Sequence, residues 1–178
     1  MDFTGYRKSL KMNINPKEMK KILIIRTRFI GDVVLTTPLI KSVKKAFPKA
    51  SVYYLAEKEH LSILNENPYI EKLLVCEKRG IFEDIKTLFR IRRERFDMVM
   101  DLFGNPRTAL ITFFSRAKIR VGWDIRGRRY AYNIKIKGDS LARGKNALQV
   151  YEGVLKALGI KNTNQNTSVY LSKEEKKH

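Results

Sequence analysis

KILIIRTRFIGDVVLTTPLIKSVKKAFPKASVYYLA, residues 21–56, is the stretch that decides the fold. It opens with KILIIR (21–26), β-rich and apolar throughout, the pattern of a strand covered on both faces. RTRFIGD follows as a loop. Val34, Leu35, Pro38, Leu39, Val43 and Phe47 then recur at helical spacing, and Pro38 has to kink or restart that helix. SVYYLA (51–56) is the next strand. A strand, a crossover helix and a second buried strand make a βαβ unit.

The same alternation runs on in both directions. A polar helix near 58–66 ends at Asn67-Pro68, and KLLVCE (72–77) is the third strand. Over 81–94 the spacing predicts a helix whose apolar stripe is Ile81, Phe82, Ile85, Leu88 and Phe89. Arg90, Arg92 and Arg93 load its last turn, where cations suit the helix dipole. DMVMDL (97–102) is a fourth strand, and Asn105-Pro106 starts a short helix as a cap followed by proline. KIRVGWD (118–124) is a fifth strand and NIKIK (133–137) a candidate sixth. Ala147, Leu148, Tyr151, Val154, Leu155 and Leu158 give a last helix closed by Gly159. This order predicts an α/β fold, a Rossmann-like doubly wound parallel sheet over 21–160, although the pattern does not set strand order. Residues 1–20 form a basic extension and 161–178 a polar linker.

Bulk properties narrow the function classes. There are 178 residues, room for one sizeable domain, and 43% are hydrophobic, a globular composition. The opening MDFTGYRKSLK has no apolar signal core, apolar blocks such as Ile22–Ile25 are too short for a bilayer, and Cys76 is the single cysteine. A cytoplasmic protein is expected. Lys and Arg number 37 against 18 Asp and Glu, a net charge of +19. That surface attracts polyanions, whether nucleic acid, anionic membrane or an acidic substrate.

Several chemistries lack their residues. The first loop has one glycine, where the dinucleotide fingerprint needs three, and no P-loop is present. There is no zinc-type Cys/His cluster, no close Asp-x-Asp pair, no supported Ser/His/Asp triad and no recognisable nucleic-acid signature. No cofactor or metal is expected. What remains is Asp32, just after the first strand, where doubly wound sheets gather ligands. Gly31 would permit a tight turn aiming Asp32 at the crevice, and Arg26 and Arg28 flank it. Such a carboxylate could act as a general base. On these residues alone, a helix N-cap role for Asp32 weighs more.

Longer stretches shift that balance. KILIIRTRFIGDVVLTTPLIKSVKKAFPKASVYYL (21–55), ILNENPYIEKLL (63–74), FDMVMDLFGNPRTALITFFSRAKIRVGWD (96–124), GWDIRGRRYAYN (122–133) and GKNALQVYEGVLKALGI (144–160) occur in an order that resembles the ADP-heptose:lipopolysaccharide heptosyltransferases, glycosyltransferase family 9. GWDIRGRRYAYN is particularly similar to the heptosyltransferase II subgroup. The resemblance spans about 21–172. It implies the first, acceptor-binding half of a GT-B enzyme, with ADP-heptose bound by a second domain. Family chains are about twice as long, so a single domain or a truncated product is expected, inactive by itself. The resemblance gives Asp32 the role of general base in an inverting displacement without metal. It also implies an anionic lipopolysaccharide acceptor and a site of action at the inner face of the bacterial inner membrane.

Acceptor-binding candidates at the strand ends are Arg26, Arg28, Gly31, Lys78, Arg79, Asn105, Arg107, Arg126 and Arg128. Arginine and lysine suit carboxylates and phosphates. Arg107 draws most from the resemblance, through Gly104-Asn105-Pro106-Arg107; Pro106 and Arg28 depart from the family pattern. For each other arginine a solvated surface charge is the simpler role. Trp123 could stack on a sugar or sit in the core, and Asp101 could bind substrate or cap its loop. Two alternatives stay open. One is a non-catalytic basic module for nucleic acid or anionic lipid; the other is a GT-B transferase with a different donor or acceptor.

Overall fold

The computed structural model describes residues 14–77, 80–137, 146–161 and 166–170. Six strands, β1 (Lys21–Ile25), β2 (Ser51–Ala56), β3 (Lys72–Val75), β4 (Met98–Asp101), β5 (Ile119–Asp124) and β6 (Ile134–Lys137), form one sheet in the order β3-β2-β1-β4-β5-β6. Every pairing is parallel. The helices are α1 (Ile30–Leu35), α2 (Thr37–Ala46), α3 (Lys58–Leu61), α4 (Ile81–Glu94), α5 (Pro106–Phe114) and α6 (Ala147–Ala157). The doubly wound α/β fold and the sixth strand are as expected, and the strand order is the one typical of dinucleotide-binding folds. The 58–66 helix is instead α3 followed by a 3₁₀ turn, Ser62–Leu64.

Alternate residues of the central strands β1, β2 and β4 serve two cores, which is why their sequences are nearly unbroken apolar runs, whereas edge strand β6 alternates buried Ile134 and Ile136 with exposed Lys135 and Lys137. Ile22, Ile24, Val52, Tyr54, Met98 and Met100 face α2 and α6, through Leu39, Val43, Val154 and Leu155. Leu23, Ile25, Tyr53, Leu55, Leu74 and Val99 face the opposite side, against Ile91 of α4 and Ile111 of α5. Pro38 restarts the helix as expected: α1 stops at Leu35 and α2 begins at Thr37 with the proline in its first turn. Asn105 and Asn146 each form a reciprocal capping box, starting α5 and α6. Gly159, at φ 70, ends α6.

The apolar stripe expected to bury α4 is a correction. Phe82 is 78% and Phe89 69% exposed, and Ile85 is exposed too. The helix packs on the sheet through Thr87, Leu88 and Ile91, so most of the predicted stripe lies beside the buried face. Near the ends of the chain, Lys20 and Lys21 donate their N–H groups to Asp97 Oδ2 at 2.8 and 2.9 Å. At the other end Ser168 donates its N–H to Thr37 Oγ1 at 3.0 Å, and Tyr170 meets Tyr69 edge-on at 6.4 Å.

Candidate functional site

Strand order reverses between β1 and β4, and their carboxyl ends are level: Ile25 pairs with both Leu55 and Asp101. A crevice therefore opens beyond Ile25 and Asp101, the place where folds of this kind bind ligands. Arg26 spans it. Its guanidinium is ion-paired with Asp32 Oδ2, donates to the Leu102 carbonyl at 3.3 Å, and sits 4.9 Å from the centre of the Phe103 ring. Its buried Nε has no hydrogen-bond partner. The Leu102 carbonyl and the Phe103 ring thus hold the arginine that in turn holds the carboxylate.

Asp32 is neither turned inward nor tied to backbone amides. Its side chain is 30% exposed, Oδ2 is held by Arg26, and no hydrogen bond is described for Oδ1. The N-cap role is overturned: the N-cap of α1 is Phe29, without a side-chain cap, and Asp32 lies inside the first turn, where its charge suits the helix dipole. The turn assigned to Gly31 is also corrected. Gly31 is helical, and Phe29 carries the left-handed backbone at φ 64, because the helix begins one residue before the glycine. A Cβ on Gly31 would meet nothing within 4 Å, so no close packing demands a glycine there.

The β4–α5 loop is the other wall, and it is rigid for definable reasons. Asp101, buried, accepts N–H groups from Phe103 at 3.1 Å and Gly104 at 2.8 Å through Oδ1, and the Tyr132 hydroxyl at 2.7 Å through Oδ2. Asp101 thus takes the loop-capping role. Burial pushes its carboxyl up from the ordinary value, and those hydrogen bonds pull the other way. Burial likewise raises the Tyr132 hydroxyl, and the Asp101 charge raises it further. Gly104 has φ +69, and a Cβ there would lie 2.2 Å from Trp123 Cδ1. Trp123 is buried, a core residue and not a sugar platform. A Cβ on Gly122 would lie 2.3 Å from the Tyr132 ring, so this glycine lets the tyrosine cross β5 to reach Asp101.

The remaining candidates disperse. Asn105 is committed to capping α5. Arg107, with its side chain 17% exposed, is ion-paired with Asp84 of α4 and donates to the Glu77 carbonyl at 2.7 Å. It joins α5 to α4 and to the end of β3. Arg128 donates to the Gly104 carbonyl at 2.7 Å and braces the loop, whereas Arg126 is exposed. Arg28, half exposed, pairs with Glu57 at 3.2 Å. Lys78 and Arg79 lie outside the described residues. Sequence reasoning missed Phe103, Tyr132 and Glu57, the partners of Arg26, Asp101 and Arg28. It also missed Tyr54, which shares a 2.9 Å hydrogen bond with Thr36 behind α1. Tyr151 of α6 feels both Arg26 and Asp32, and burial lifts its hydroxyl to about 12. Cys76 is buried and its thiol is pushed up by that burial, which leaves it inert. Among the described residues there is no metal-binding group of His, Cys, Asp or Glu, and no helix long and apolar enough to cross a membrane.

No family model matches the chain. Lipopolysaccharide heptosyltransferase 3 of Escherichia coli is 31% identical over 59% of this chain and 33% of its own length. A glycosyl transferase family 9 structure from Veillonella parvula superimposes with TM-score 0.76 at 27% identity, covering 87% of this chain and 46% of that one. The E. coli ADP-heptose lps heptosyltransferase II structure gives TM-score 0.67 at 19% identity, covering 88% and 48%, a likeness of fold. The chain thus spans about a third of the length of the curated relatives it matches and about half that of the solved ones.

Proposed function

We propose that this chain, which fits the glycosyltransferase family 9 heptosyltransferases, is the acceptor-binding half of a transferase in lipopolysaccharide biosynthesis. A second, donor-binding domain supplies ADP-heptose, and the crevice between β1 and β4 receives a hydroxyl of the lipopolysaccharide inner core. One observation carries this: a partly exposed carboxylate at the strand-order switch, fixed through Oδ2 by Arg26.

The chemistry follows from that geometry. Oδ1 of Asp32 accepts the proton of the acceptor hydroxyl as its oxygen attacks the anomeric carbon. The bond from that carbon to the ADP oxygen breaks, and ADP leaves with the electron pair. Attack opposite the leaving group inverts the anomeric centre. Arg26 restrains the carboxylate, and an oriented base is worth more than a mobile one. Arg28, half exposed and paired with Glu57, and Arg126, exposed, suit the anionic groups of the acceptor. Lys78 and Arg79 are proposed for the same role. Arg107, Arg128 and Asn105 act by shaping the loop. The donor domain has to hold ADP-heptose against the acceptor for transfer to be fast.

The test joins this chain to a family 9 donor domain and measures heptose transfer from ADP-heptose. Asp32→Ala removes the proton acceptor and should cost about 10²–10⁴-fold in kcat, with the folded state kept. Turnover within a factor of a few of the parent would remove Asp32 from the mechanism.

A further inference from the structure

The exposed side of α4 and α5 has no role in the crevice chemistry, and its composition is unusual for a solvated face. Phe82 and Phe89 project from α4, and Leu110, Phe113 and Phe114 from α5. Tyr130 extends the row, 5.6 Å from Phe113, which is itself 5.4 Å from Phe114. A groove of about 370 Å³ lies between the two helices, walled by Ile85, Leu88, Phe89 and Phe114, with Arg92 at its end. Large exposed apolar patches on soluble domains mark interaction surfaces.

The border of the patch is cationic. Arg92 also lines a neighbouring hollow of about 450 Å³ with Arg95, Arg116 and Lys118, in which Asp97 is the one acidic wall residue. Among the described residues, Arg92, Arg93, Arg116 and Lys118 have no ion-pair partner, although acidic side chains elsewhere are mostly engaged. An apolar groove that shares Arg92 with an arginine-lined hollow matches a molecule with acyl chains and an anionic head.

We infer that the α4–α5 face is a docking surface for an anionic phospholipid bilayer, with the phenylalanines among the acyl chains and Arg92, Arg95, Arg116 and Lys118 on the phosphates. Charge complementarity chooses this occupant. A second copy of a +19 chain would set two basic rims face to face, which opposes association. Single-stranded nucleic acid favours aromatic platforms set within a basic groove, whereas here Ile85 and Leu88 share the groove walls with Phe89 and Phe114, and all but one of the cations stand outside it. The inference adds a surface to the proposed transferase and needs neither donor nor acceptor, so either can fail alone.

Co-sedimentation of the chain with phosphatidylcholine vesicles, with and without phosphatidylglycerol, tests it. Binding should require the anionic lipid and weaken with salt. The variant Phe82→Ser/Phe89→Ser/Phe113→Ser changes only exposed positions, and circular dichroism checks its fold. It should lose roughly tenfold in affinity per inserted phenylalanine. Arg92→Gln/Arg116→Gln should lose affinity for anionic vesicles as well. Equal binding by the phenylalanine variant and the parent would overturn the inference, as would no vesicle binding at all. A parent dimer that the phenylalanine variant dissolves would assign the face to self-association. Loss of single-stranded RNA binding in that variant, with vesicle binding intact, would assign it to nucleic acid.

Discussion

Tyr132→Phe removes one oxygen and leaves the ring where it packs over Gly122. The hydroxyl donates to Asp101 Oδ2 at 2.7 Å, and the carboxylate is 1% exposed, so water cannot replace the lost donor. A hydrogen bond to a buried charged group is worth about 1.5–3 kcal/mol. For a domain of this size that corresponds to a fall in Tm of roughly 3–12 °C. The pH dependence supplies a second check. Burial raises the Asp101 carboxyl in the folded state. Between the unfolded and folded values the native protein therefore holds a proton that the unfolded chain has lost. Stability from this group is complete at acid pH and is lost as pH rises through the folded value. The tyrosine favours the ionised carboxylate, so the variant's deficit should be largest where Asp101 is ionised and should narrow as it protonates. Urea denaturation of both proteins across that range measures it. A deficit below about 0.5 kcal/mol at every pH, the scale of an ordinary surface substitution, would refute the buried pair. So would a deficit that does not change with pH.

Two further outcomes concern the same wall of the crevice. Gly104→Ala forces a side chain into a left-handed backbone and against the buried Trp123, and should cost roughly 2–5 kcal/mol by strain and overpacking; thermal unfolding near that of the parent would mean that the loop relaxes freely. Arg107→Ala should cost about 1–2 kcal/mol, discounted because Asp84 is 36% exposed, and should leave the affinity of the chain for lipopolysaccharide inner core nearly unchanged. Loss of that affinity without loss of stability, read by denaturation and by binding isotherms, would return Arg107 to the acceptor.

The strands and most helices were legible because a sheet covered on both faces writes itself as short apolar runs, and because Pro38, Asn105, Pro106 and Gly159 mark boundaries by their own chemistry. Strand order was not legible, since neither periodicity records which strand lies beside which. The face of α4 was misassigned for a physical reason: its surface carries phenylalanines where solvent-exposed helices carry polar residues, so periodicity found a stripe that is largely not the buried one. At the site, Asp32 and Arg26 could be placed from their position after the first strand, but their pairing could not. Nor could the bond from Tyr132 to Asp101, 31 residues apart, although Gly104 and Gly122 leave room for Trp123 and Tyr132 and so held a trace of it. A left-handed Phe29 is contrary to every local preference, and only the tertiary structure reveals it.

These contacts form one mechanical series. Tyr132 and the Phe103 and Gly104 amides fix Asp101, Arg128 braces the Gly104 carbonyl, and the loop so held presents the Leu102 carbonyl and the Phe103 ring to Arg26. Arg26 in turn fixes one oxygen of Asp32. A carboxylate on a short helix beside an open glycine would otherwise sample several rotamers, and a misplacement of about 1 Å at a reacting group can cost 10²-fold in rate. The rigidity of β4 and β5 thus reaches a residue on the far side of the crevice through a single guanidinium. Arg26 is thus committed to Asp32 and the β4–α5 loop, so in the proposed reaction it positions the base, and the more exposed Arg28 and Arg126 are the cations proposed for the acceptor.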